Sequence, residues 1–372
     1  MRKKTGKIRF AVVGLGHIAQ VAVLPAFRHA KKNTELRALV TGSNEKAKVV
    51  SKKYRVPNVY TYDQYSDLLS SGEIDAVYIA TPNEKHTDYV CRALQEGIHV
   101  LCEKPLAIST DDCFEMIVAA RESGAKLMTA YRLHFDKPTM DAIQLCRRGR
   151  LGKLKTYLSS FSYVIQDKNN IRLRPMEGSG PLWDIGIYCI NAVRYLFGEN
   201  PIEVFAYGTR LPSGPFSKVD ETVSVLMRFS EDRTAAFHSS FNMAQSSYFE
   251  VYGDKGMARL TNAFEYAIPP ELQTFIKGKH AKKKYKKVDQ FAAELEYFAD
   301  CVLRDKQIEP SGEEGLTDVI IIRAIEQSMQ EGRPITVSYA GLEKKAEPNP
   351  KMVSRKPPVR EPELVDVKSA SG

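Results

Sequence analysis

The fold is decided by the stretch KIRFAVVGLGHIA at residues 7–19. It starts as a β-rich apolar run and passes directly into a Gly-x-Gly-x-x-Ala loop, which opens an apolar helix expected over residues 18–30. In such a loop Gly14 permits a tight turn, Gly16 lets a diphosphate approach the backbone, and Ala19 lets the helix pack closely on the strand. A loop of this kind between a strand and a helix predicts a dinucleotide-binding βαβ unit with the diphosphate at the helix N-terminus.

Strand-like and helical segments continue to alternate up to about residue 132. Apolar strand-like runs are expected at residues 35–40, 74–80, 97–103 and 126–132. Helical patterns separate them at residues 44–54, 86–97 and 110–123. This alternation predicts a doubly wound parallel sheet, that is, an α/β Rossmann domain.

The pattern changes after His134. A helix is expected over 138–148, and late helices over 290–304 and 315–330. Runs of alternating polarity, which predict an α+β domain with a large, mostly antiparallel sheet open on one face, lie at 155–164, 203–209, 222–229, 234–241 and 248–252. Two such faces often bury each other, so we expect a homodimer through the open sheet face.

The chain therefore divides into three predicted regions. Residues 1–132 form the dinucleotide-binding Rossmann domain, and residues 133–340 form the domain for substrate binding and dimerisation. Residues 341–372 are rich in Lys, Pro, Glu and Ser with almost no apolar content, which predicts a disordered tail. The length of 372 residues also suits two domains better than one core.

Composition excludes several classes of protein. The net charge of +9 is concentrated at residues 2–7, at 277–287 and after 342, outside periodic segments, which predicts solvated loops and not a nucleic-acid surface. No apolar run reaches the length of a membrane span. Six cysteines without paired spacing indicate a reducing compartment and no metal site, so we expect a cytoplasmic protein, or a periplasmic one if a leader has been removed.

The end of the second predicted strand indicates the type of dinucleotide. An NAD site usually places a carboxylate there, on the ribose 2′-hydroxyl. Here the strand runs into Thr41, Gly42 and Ser43 and then Lys46, with Glu45 as the nearest acid. Small donors and a cation suit a 2′-phosphate, which favours NADP over NAD. The alternative is that Lys46 simply belongs to the amphipathic helix that follows.

Two further strand ends carry polar residues. Thr81, Pro82 and Asn83 follow one strand and are expected on the ribose of the nicotinamide; His86, at the start of the next helix, could equally cap that helix. The other strand ends in Cys-Glu-Lys-Pro, where Pro105 stops the strand and fixes the backbone of Lys104. Ligands of open α/β sheets bind at these strand ends, so a lysine ammonium is expected in the crevice. The alternative is an ordinary surface lysine.

These motifs form an ordered set with the stretch WDIGIY at residues 183–188. The set resembles the glucose–fructose oxidoreductase/inositol dehydrogenase/rhizopine catabolism (Gfo/Idh/MocA) family over about residues 7–340. The chain is most similar to the glucose–fructose oxidoreductase branch, and the matching stretches are 102–105, 131–134, 172–174, 184–188, 191–198 and 311–315. The resemblance implies an NADP-dependent oxidoreductase that acts on CH–OH groups of sugars, with NADP tightly bound in that branch.

Two features qualify the resemblance. Many family dehydrogenases carry a histidine four residues after the motif aspartate, whereas this chain has Tyr188, as the oxidoreductase branch does. The type member of that branch also has a long N-terminal arm over the cofactor, whereas only residues 1–7 precede the first strand here. A dimer is therefore expected in preference to a tetramer.

The expected chemistry needs a base at the sugar hydroxyl and a cation for the alkoxide. Tyr188 is the candidate base, and a Lys104 ammonium near its phenol, whose ordinary pKa is about 10, would favour the phenolate. Asp184 lies one helical turn before Tyr188 and would bind a sugar hydroxyl or orient the tyrosine. Trp183 could stack on a sugar ring or belong to the core. Arg132, Arg172 and Arg174 are expected to hold the nicotinamide side or the substrate, or to form structural salt bridges.

The sequence thus predicts an NADP-dependent sugar oxidoreductase that moves a hydride from a pyranose (aldose) hydroxyl to the nicotinamide, with a second carbonyl sugar as the ping-pong acceptor. The alternatives are an NAD-dependent inositol or amino-sugar dehydrogenase and a non-catalytic NADP-sensing regulator. The expected substrate-binding residues are Lys104, Arg132, Trp183, Asp184 and Tyr188. The expected cofactor-binding residues are Gly14, Leu15, Gly16, His17, Ile18, Thr41, Gly42, Ser43, Lys46, Tyr62, Thr81, Pro82, Asn83, His86, Glu103, Lys104, Arg132 and Arg172.

Overall fold

The computed structural model describes residues 6–266, 268–339, 342, 356–359 and 363–367. The chain divides into two compact units. The first holds the described residues up to Phe135, then Val288–Leu316, and the described residues from 356 onward. The second holds Asp136–Lys287 and the described residues that follow Leu316, up to 342. The sequence places 288–316 in the second domain, so their membership of the first unit is an unexpected feature of the fold.

The sheet of the first unit has six parallel strands. They are β1 (Ile8–Val13), β2 (Thr34–Val40), β3 (Asn58–Tyr60), β4 (Ala76–Ile79), β5 (His99–Glu103) and β6 (Leu127–Ala130). Their order across the sheet is β3-β2-β1-β4-β5-β6, and all pairs are parallel. The predicted doubly wound Rossmann sheet is confirmed. The order reverses beside β1, which carries the glycine loop at its carboxyl end, where ligands of such sheets bind.

The central strands are buried on both faces, as parallel strands flanked by helices must be. Every residue of β4 is buried, and β1 leaves only Arg9 partly exposed. The guanidinium of Arg9 donates to both carboxylate oxygens of Asp75, at 2.9 and 2.8 Å. A charged residue is therefore tolerated near the start of a central strand, because the carboxylate of Asp75 accepts two hydrogen bonds from its guanidinium.

Nine α-helices lie in the described part of the chain, and several of them are capped by a polar side chain. In chain order they are α1 (Leu24–Ala26, continuing the π-helical turn Ala19–Val23), α2 (Asn44–Tyr54), α3 (Tyr65–Ser70), α4 (His86–Gln95), α5 (Thr110–Ser123), α6 (Lys137–Arg147), α7 (Ile187–Phe197), α8 (Gln290–Leu303) and α9 (Gly312–Glu331). Ser43 caps α2, Ser109 caps α5 and Asp289 caps α8, each accepting from a backbone N–H in the first turn. No helix in the described part of the chain is both long and apolar enough to cross a membrane.

The second unit is built on a nine-stranded sheet. Its strands are β7 (Leu154–Val164), β8 (Glu203–Thr209), β9 (Thr222–Arg228), β10 (Thr234–Ser240), β11 (Asn242–Gly253), β12 (Gly256–Thr261), β13 (Glu271–Ile276), β14 (Lys279–Lys284) and β15 (Ile335–Thr336). The order is β14-β13-β12-β11-β7-β10-β9-β8-β15, antiparallel except for the pair β10 and β7. The predicted large, mostly antiparallel sheet is confirmed.

One face of this sheet is packed and the other is open. In β9, Val223, Val225 and Met227 are buried, whereas the intervening Leu226 is half exposed. The open face carries a row across four strands in which Leu158, Ala236, Leu226 and Phe205 stand opposite one another in register. This alternation is the one expected of an antiparallel sheet with a single covered face.

The basic run at 277–287 is predicted from the sequence as a solvated loop, but the structure shows otherwise. Residues 279–284 form β14, the edge strand of the sheet, joined to β13 through Lys277 and Gly278, both of which have positive φ. Two residues of that conformation form a tight hairpin turn. The exposed lysines keep this edge charged, which opposes edge-to-edge pairing with other chains.

Part of the stretch 341–372, for which disorder is predicted, is described by the structure. Lys356 accepts a hydrogen bond from the backbone N–H of Asp289 at 2.8 Å, and its ammonium donates to the carbonyl of His29 at 3.1 Å. Residues 363–367 contact the first unit as well, as detailed below. For the remainder of the stretch, the prediction falls outside the described residues.

Candidate active site

The glycine loop at the end of β1 has the shape that its sequence requires. Gly14 has φ +90°, and a Cβ there would lie 2.6 Å from the carbonyl oxygen of Ala80, so only glycine fits. At Gly16 a Cβ would meet nothing within 4 Å, which leaves this part of the backbone open to a ligand. Leu15 is buried, whereas His17 and Ile18 are partly exposed beside Gly16. A diphosphate fits this loop at the start of the helix.

The end of β2 presents hydroxyls and one ammonium. Thr41 Oγ1 accepts from the N–H of Ser43 at 3.2 Å, and the Ser43 hydroxyl accepts from the N–H of Lys46 at 3.3 Å. Gly42 lies against the ring of Tyr62, since a Cβ at Gly42 would be 3.3 Å from it. The Lys46 ammonium lies 3.7 Å from Oδ2 of Asp366. The donor set of Thr41, Ser43 and Lys46 suits an anionic group.

The end of β4 holds a buried hydroxyl that the protein leaves unused. Thr81 is buried, and within the described part of the chain its Oγ1 has no hydrogen-bond partner. Pro82 is exposed and Asn83 begins the 3₁₀ turn Asn83–Lys85. A buried polar atom without a partner costs free energy, which a bound ligand group can recover. Gly16, Thr81 and Lys46 together fit a phosphorylated dinucleotide.

His86 is a buried bridge. One ring nitrogen, Nε2, lies 3.0 Å from the carbonyl of Thr81, and the other, Nδ1, lies 2.9 Å from that of Pro105 and 3.2 Å from that of Leu106. Burial lowers the pKa of His86, and these backbone carbonyls oppose that shift. Both nitrogens lie against backbone carbonyls, so His86 fixes the loops that present Thr81 and Lys104. This role differs from the direct cofactor contact that the sequence predicts.

Lys104 stands immediately after β5. It is partly exposed, and the Lys104–Pro105 peptide is cis. The neighbouring Glu103 turns to the core, where the Tyr78 hydroxyl donates to its Oε1 at 2.7 Å. Burial raises the pKa of Glu103, and the Lys104 ammonium opposes that rise. The backbone of Lys104 is thus anchored on one side through Glu103 and on the other through the His86 bridge.

A second buried acid, Glu294 on α8, lies beside Glu103 and was missed by the sequence analysis. It is fully buried, and within the described residues neither carboxylate oxygen has a hydrogen-bond partner. Burial first, and then the charge of Glu103, raises the pKa of Glu294 well above its ordinary value, while Arg132 opposes the rise. The guanidinium of Arg132 donates to Gln290, also on α8, at 2.8 Å. Arg132 therefore belongs to a buried polar cluster of the first unit.

In the second unit, Asp184 and Tyr188 share one exposed strip. The π-helical turn Leu182–Gly186 continues into α7, and every residue from 182 to 190 is buried except Asp184 and Tyr188. The ring of Tyr188 packs edge-on against Phe161 with centroids 5.7 Å apart. The predicted spacing of one helical turn thus places both polar groups on the same uncovered face.

Arg172 is paired with Asp184. Its Nε donates to Oδ2 at 2.6 Å, and the Tyr163 hydroxyl donates to the same oxygen at 3.5 Å. The carboxylate raises the pKa of Arg172, so the guanidinium stays charged. Arg174 is exposed. Arg172 thus fixes the motif aspartate in this structure, and its expected role at a cofactor or substrate stays a prediction.

The structure places Trp183 in the core and not at a sugar. The ring is buried, its Nε1 donates to Glu326 at 2.7 Å, and the Arg323 guanidinium lies over it with 5.1 Å to the centroid. A ring covered in this way cannot stack on a sugar, so the core alternative holds. Within the described residues no group of three His, Cys, Asp or Glu side chains could hold a metal ion.

The parallel sheet, the glycine loop and the strand-end residues define a Rossmann-fold oxidoreductase. Residues 8–131 match the model of an oxidoreductase family with an NAD-binding Rossmann fold, and residues 139–259 match the GFO/IDH/MocA C-terminal domain. The chain belongs to the Gfo/Idh/MocA family, as its motifs indicate.

Individual relatives cover most of the chain. Aldose-aldose oxidoreductase from Caulobacter crescentus, whose crystal structure is complexed with glycerol, is 33% identical with a TM-score of 0.85, over 89% of this chain and 100% of that one. D-xylose 1-dehydrogenase (NADP(+)) 2 of Haloferax volcanii is 29% identical over 88% of this chain and 98% of its own. Trans-1,2-dihydrobenzene-1,2-diol dehydrogenase of Xenopus laevis is 30% identical over 65% of this chain and 70% of its own.

Proposed function

We propose that this protein is an NADP-dependent sugar oxidoreductase that oxidises the C1 hydroxyl of an aldose. The observation that carries the proposal is the pair of Asp184 and Tyr188, the two partly exposed residues of the otherwise buried stretch 182–190. Relatives named as an NADP-dependent D-xylose 1-dehydrogenase and an aldose-aldose oxidoreductase support the sugar substrate and the cofactor. The name of the D-xylose 1-dehydrogenase also supports the expectation of NADP over NAD.

Binding of NADP is assigned to the three strand ends of the first unit. The open backbone at Gly16 suits the diphosphate, Thr81 suits the nicotinamide half, and Lys46 with Ser43 suits the 2′-phosphate. The bound nicotinamide supplies the hydride acceptor. The same cofactor assignment extends to the other expected contacts, which are Gly14, Leu15, His17, Ile18, Thr41, Gly42, Tyr62, Pro82 and Asn83.

Proton handling is assigned to three side chains. Tyr188 accepts the proton of the sugar hydroxyl, and the Lys104 ammonium stabilises the alkoxide that forms. Asp184, held by Arg172, accepts a hydrogen bond from a neighbouring sugar hydroxyl. Glu103 and His86 position Lys104 through the backbone on either side of it.

The reaction would continue with a second sugar. After oxidation of the first aldose, Lys104 would polarise the carbonyl group of another sugar and Tyr188 would return a proton to its oxygen, while the bound nucleotide would supply the hydride. The name of the Caulobacter relative, an aldose-aldose oxidoreductase, supports this ping-pong option.

A homodimer through the open face of the nine-stranded sheet is part of the proposal. Leu158 is 39%, Leu226 51% and Tyr207 63% exposed on three strands of this sheet, and an apolar surface of this kind is commonly covered by a partner. The Leu226→Lys variant should convert the dimer to monomers in sedimentation analysis, whereas Val49→Lys, an exposed position on α2, should not. A wild-type monomer would overturn this assignment.

The cytoplasm is the proposed location. Cys91, Cys102, Cys113, Cys146, Cys189 and Cys301 are all free and buried, which is compatible with a reducing compartment. Cell fractionation against cytoplasmic and periplasmic markers tests this part.

Initial rates of nucleotide reduction test the activity. D-Xylose, D-glucose and other aldoses are each paired with NADP⁺ and NAD⁺, and myo-inositol with NAD⁺ is run in parallel. We expect turnover with an aldose and NADP⁺, and less reduced nucleotide per aldose oxidised when a second carbonyl sugar is added. Preference for inositol with NAD⁺ would replace the proposal by an inositol dehydrogenase. Stable NADP binding without turnover on any sugar would indicate a regulator.

A further inference from the structure

The segment 363–367 is hydrogen-bonded to the glycine loop through one buried side chain. The amide of Gln20 pairs with the backbone of Val365 in both directions, as its Nε2 donates to the Val365 carbonyl and its Oε1 accepts from the Val365 N–H, each at 2.9 Å. The same Nε2 donates to the carbonyl of Leu15, between the two loop glycines, at 3.0 Å. Gln20 is 3% exposed. An amide that satisfies three backbone groups in a buried position fixes the segment beside the loop.

The segment also follows α2 along its length. At the last turn of α2, the Lys53 ammonium donates to the carbonyl of Glu363 at 2.8 Å. At the first turn, the Lys46 ammonium lies 3.7 Å from the carboxylate of Asp366. Between these two lysines, Val365 is held by Gln20. The contacts at Glu363 and Val365 therefore fix the chain just before Asp366 and bring its carboxylate to the cation at the end of β2.

We propose that Asp366 is a specificity-determining residue of the dinucleotide site, because its carboxylate competes with a 2′-phosphate for Lys46. The inference rests on the proposed function, which assigns Lys46 to that phosphate. A phosphate that binds Lys46 must share the ammonium with a carboxylate of like charge, which weakens its binding. A nucleotide with a 2′-hydroxyl carries no such charge and is unaffected. NADP should therefore bind more weakly than it would if Lys46 were not paired with Asp366.

The Asp366→Asn substitution isolates the charge. Asparagine has the same shape and also tolerates the left-handed backbone of this residue, for which φ is +48°. Glu363→Gln is the matched control, because it removes a carboxylate from the same segment at the end that faces Lys53. Lys46→Met reports whether the 2′-phosphate is bound where the proposed function puts it.

The test is calorimetric titration of the full chain with NADP⁺ and with NAD⁺. Because the pair is partly exposed, we expect Asp366→Asn to bind NADP⁺ about three- to tenfold more tightly and NAD⁺ within about twofold of wild type. The gain should shrink as salt is added. Glu363→Gln should leave both affinities within about twofold of wild type.

The outcomes separate the two proposals. If NADP⁺ binding depends on Lys46 but does not respond to Asp366→Asn, the role of Asp366 is overturned and the proposed function stands. An equal change in the affinities for NADP⁺ and NAD⁺ also overturns it, since the effect is then not on the 2′-phosphate. If the wild type binds NAD⁺ but not NADP⁺, or if Lys46→Met leaves NADP⁺ binding unchanged, the cofactor assignment fails and the inference fails with it.

Discussion

The Nε atom of Arg172 donates a hydrogen bond of 2.6 Å to Oδ2 of Asp184. This bond gives the motif aspartate a fixed direction on the exposed strip that it shares with Tyr188. The arginine is itself placed by a short 3₁₀ turn, Ile171–Leu173, in which the Asn170 side chain accepts from the backbone N–H of Arg172. A loop residue thus orients a helix residue, and the pair explains why a charged group remains at a position whose helical neighbours are buried.

Lys104→Ala should severely slow hydride transfer while leaving the fold intact. Loss of a cation at a developing alkoxide typically costs about 10²–10³-fold in kcat. The measurement is kcat for aldose oxidation, with circular dichroism to show that the fold is retained. Lys85→Ala, an exposed lysine at the end of the 3₁₀ turn Asn83–Lys85, is the control and should be active. Near-normal turnover by Lys104→Ala would remove Lys104 from the chemistry.

Tyr188→Phe should reduce kcat about 10²–10⁴-fold with little change in KM, because the ring contacts with Phe161 survive and only the proton acceptor is lost. The measurement is kcat and KM across pH. The exposed Tyr207 provides a control, since Tyr207→Phe should behave as wild type. If Tyr188→Phe keeps the wild-type rate, the base is Asp184 or a water molecule.

Trp183→Phe should lower stability without weakening sugar binding. The variant keeps an aromatic ring but loses the N–H donated to Glu326, and a lost hydrogen bond to a charged group costs about 1.5–3 kcal/mol. Urea unfolding and KM are the measurements, and Glu326→Ala should lower stability in the same direction. A raised KM at unchanged stability would restore the sugar-stacking role that the structure argues against.

Glu294→Gln should remove a pH dependence of stability. The pKa of Glu294 is raised well above its ordinary value in the folded state, so the folded protein keeps a proton that the unfolded chain releases above about pH 4.3. Stability therefore falls as pH rises through that window, by about 1.4 kcal/mol per pH unit at most. Glutamine cannot ionise, so the variant should gain stability over wild type from pH 5 to pH 7.

Unfolding by urea at several pH values in this window checks the prediction. Glu122→Gln, an exposed acid on α5, should track the wild type. A slope for Glu294→Gln equal to that of the wild type would show that Glu294 is ionised in the folded protein.

The sequence predicted the features that depend on neighbouring residues. The glycine loop, the strand end before Pro105 and the one-turn spacing of Asp184 and Tyr188 are local patterns, and each is present in the structure. The same local reasoning could not decide the role of Trp183, because its hydrogen-bond partner Glu326 lies on a distant helix.

Other features depend entirely on contacts between distant parts of the chain. Glu294 acts on Glu103 because residues 288–316 belong to the first unit, which no local pattern shows. Asp366 reaches Lys46 from a polar stretch whose composition predicts disorder. One signal was available in advance, since Glu294 interrupts the apolar run of a helix whose neighbours Phe291, Leu295 and Phe298 are buried.

The central claim is that a hydride moves from an aldose to NADP at this site. The most direct measurement uses an aldose with deuterium at C1, incubated with the protein and NADP⁺, followed by mass spectrometry of the reduced nucleotide. The account predicts one deuterium on the nicotinamide with wild-type protein, and about 10²–10³-fold less labelled nucleotide in the same time with Lys104→Ala. Reduced nucleotide without deuterium, or no reduction with any labelled aldose, would contradict it.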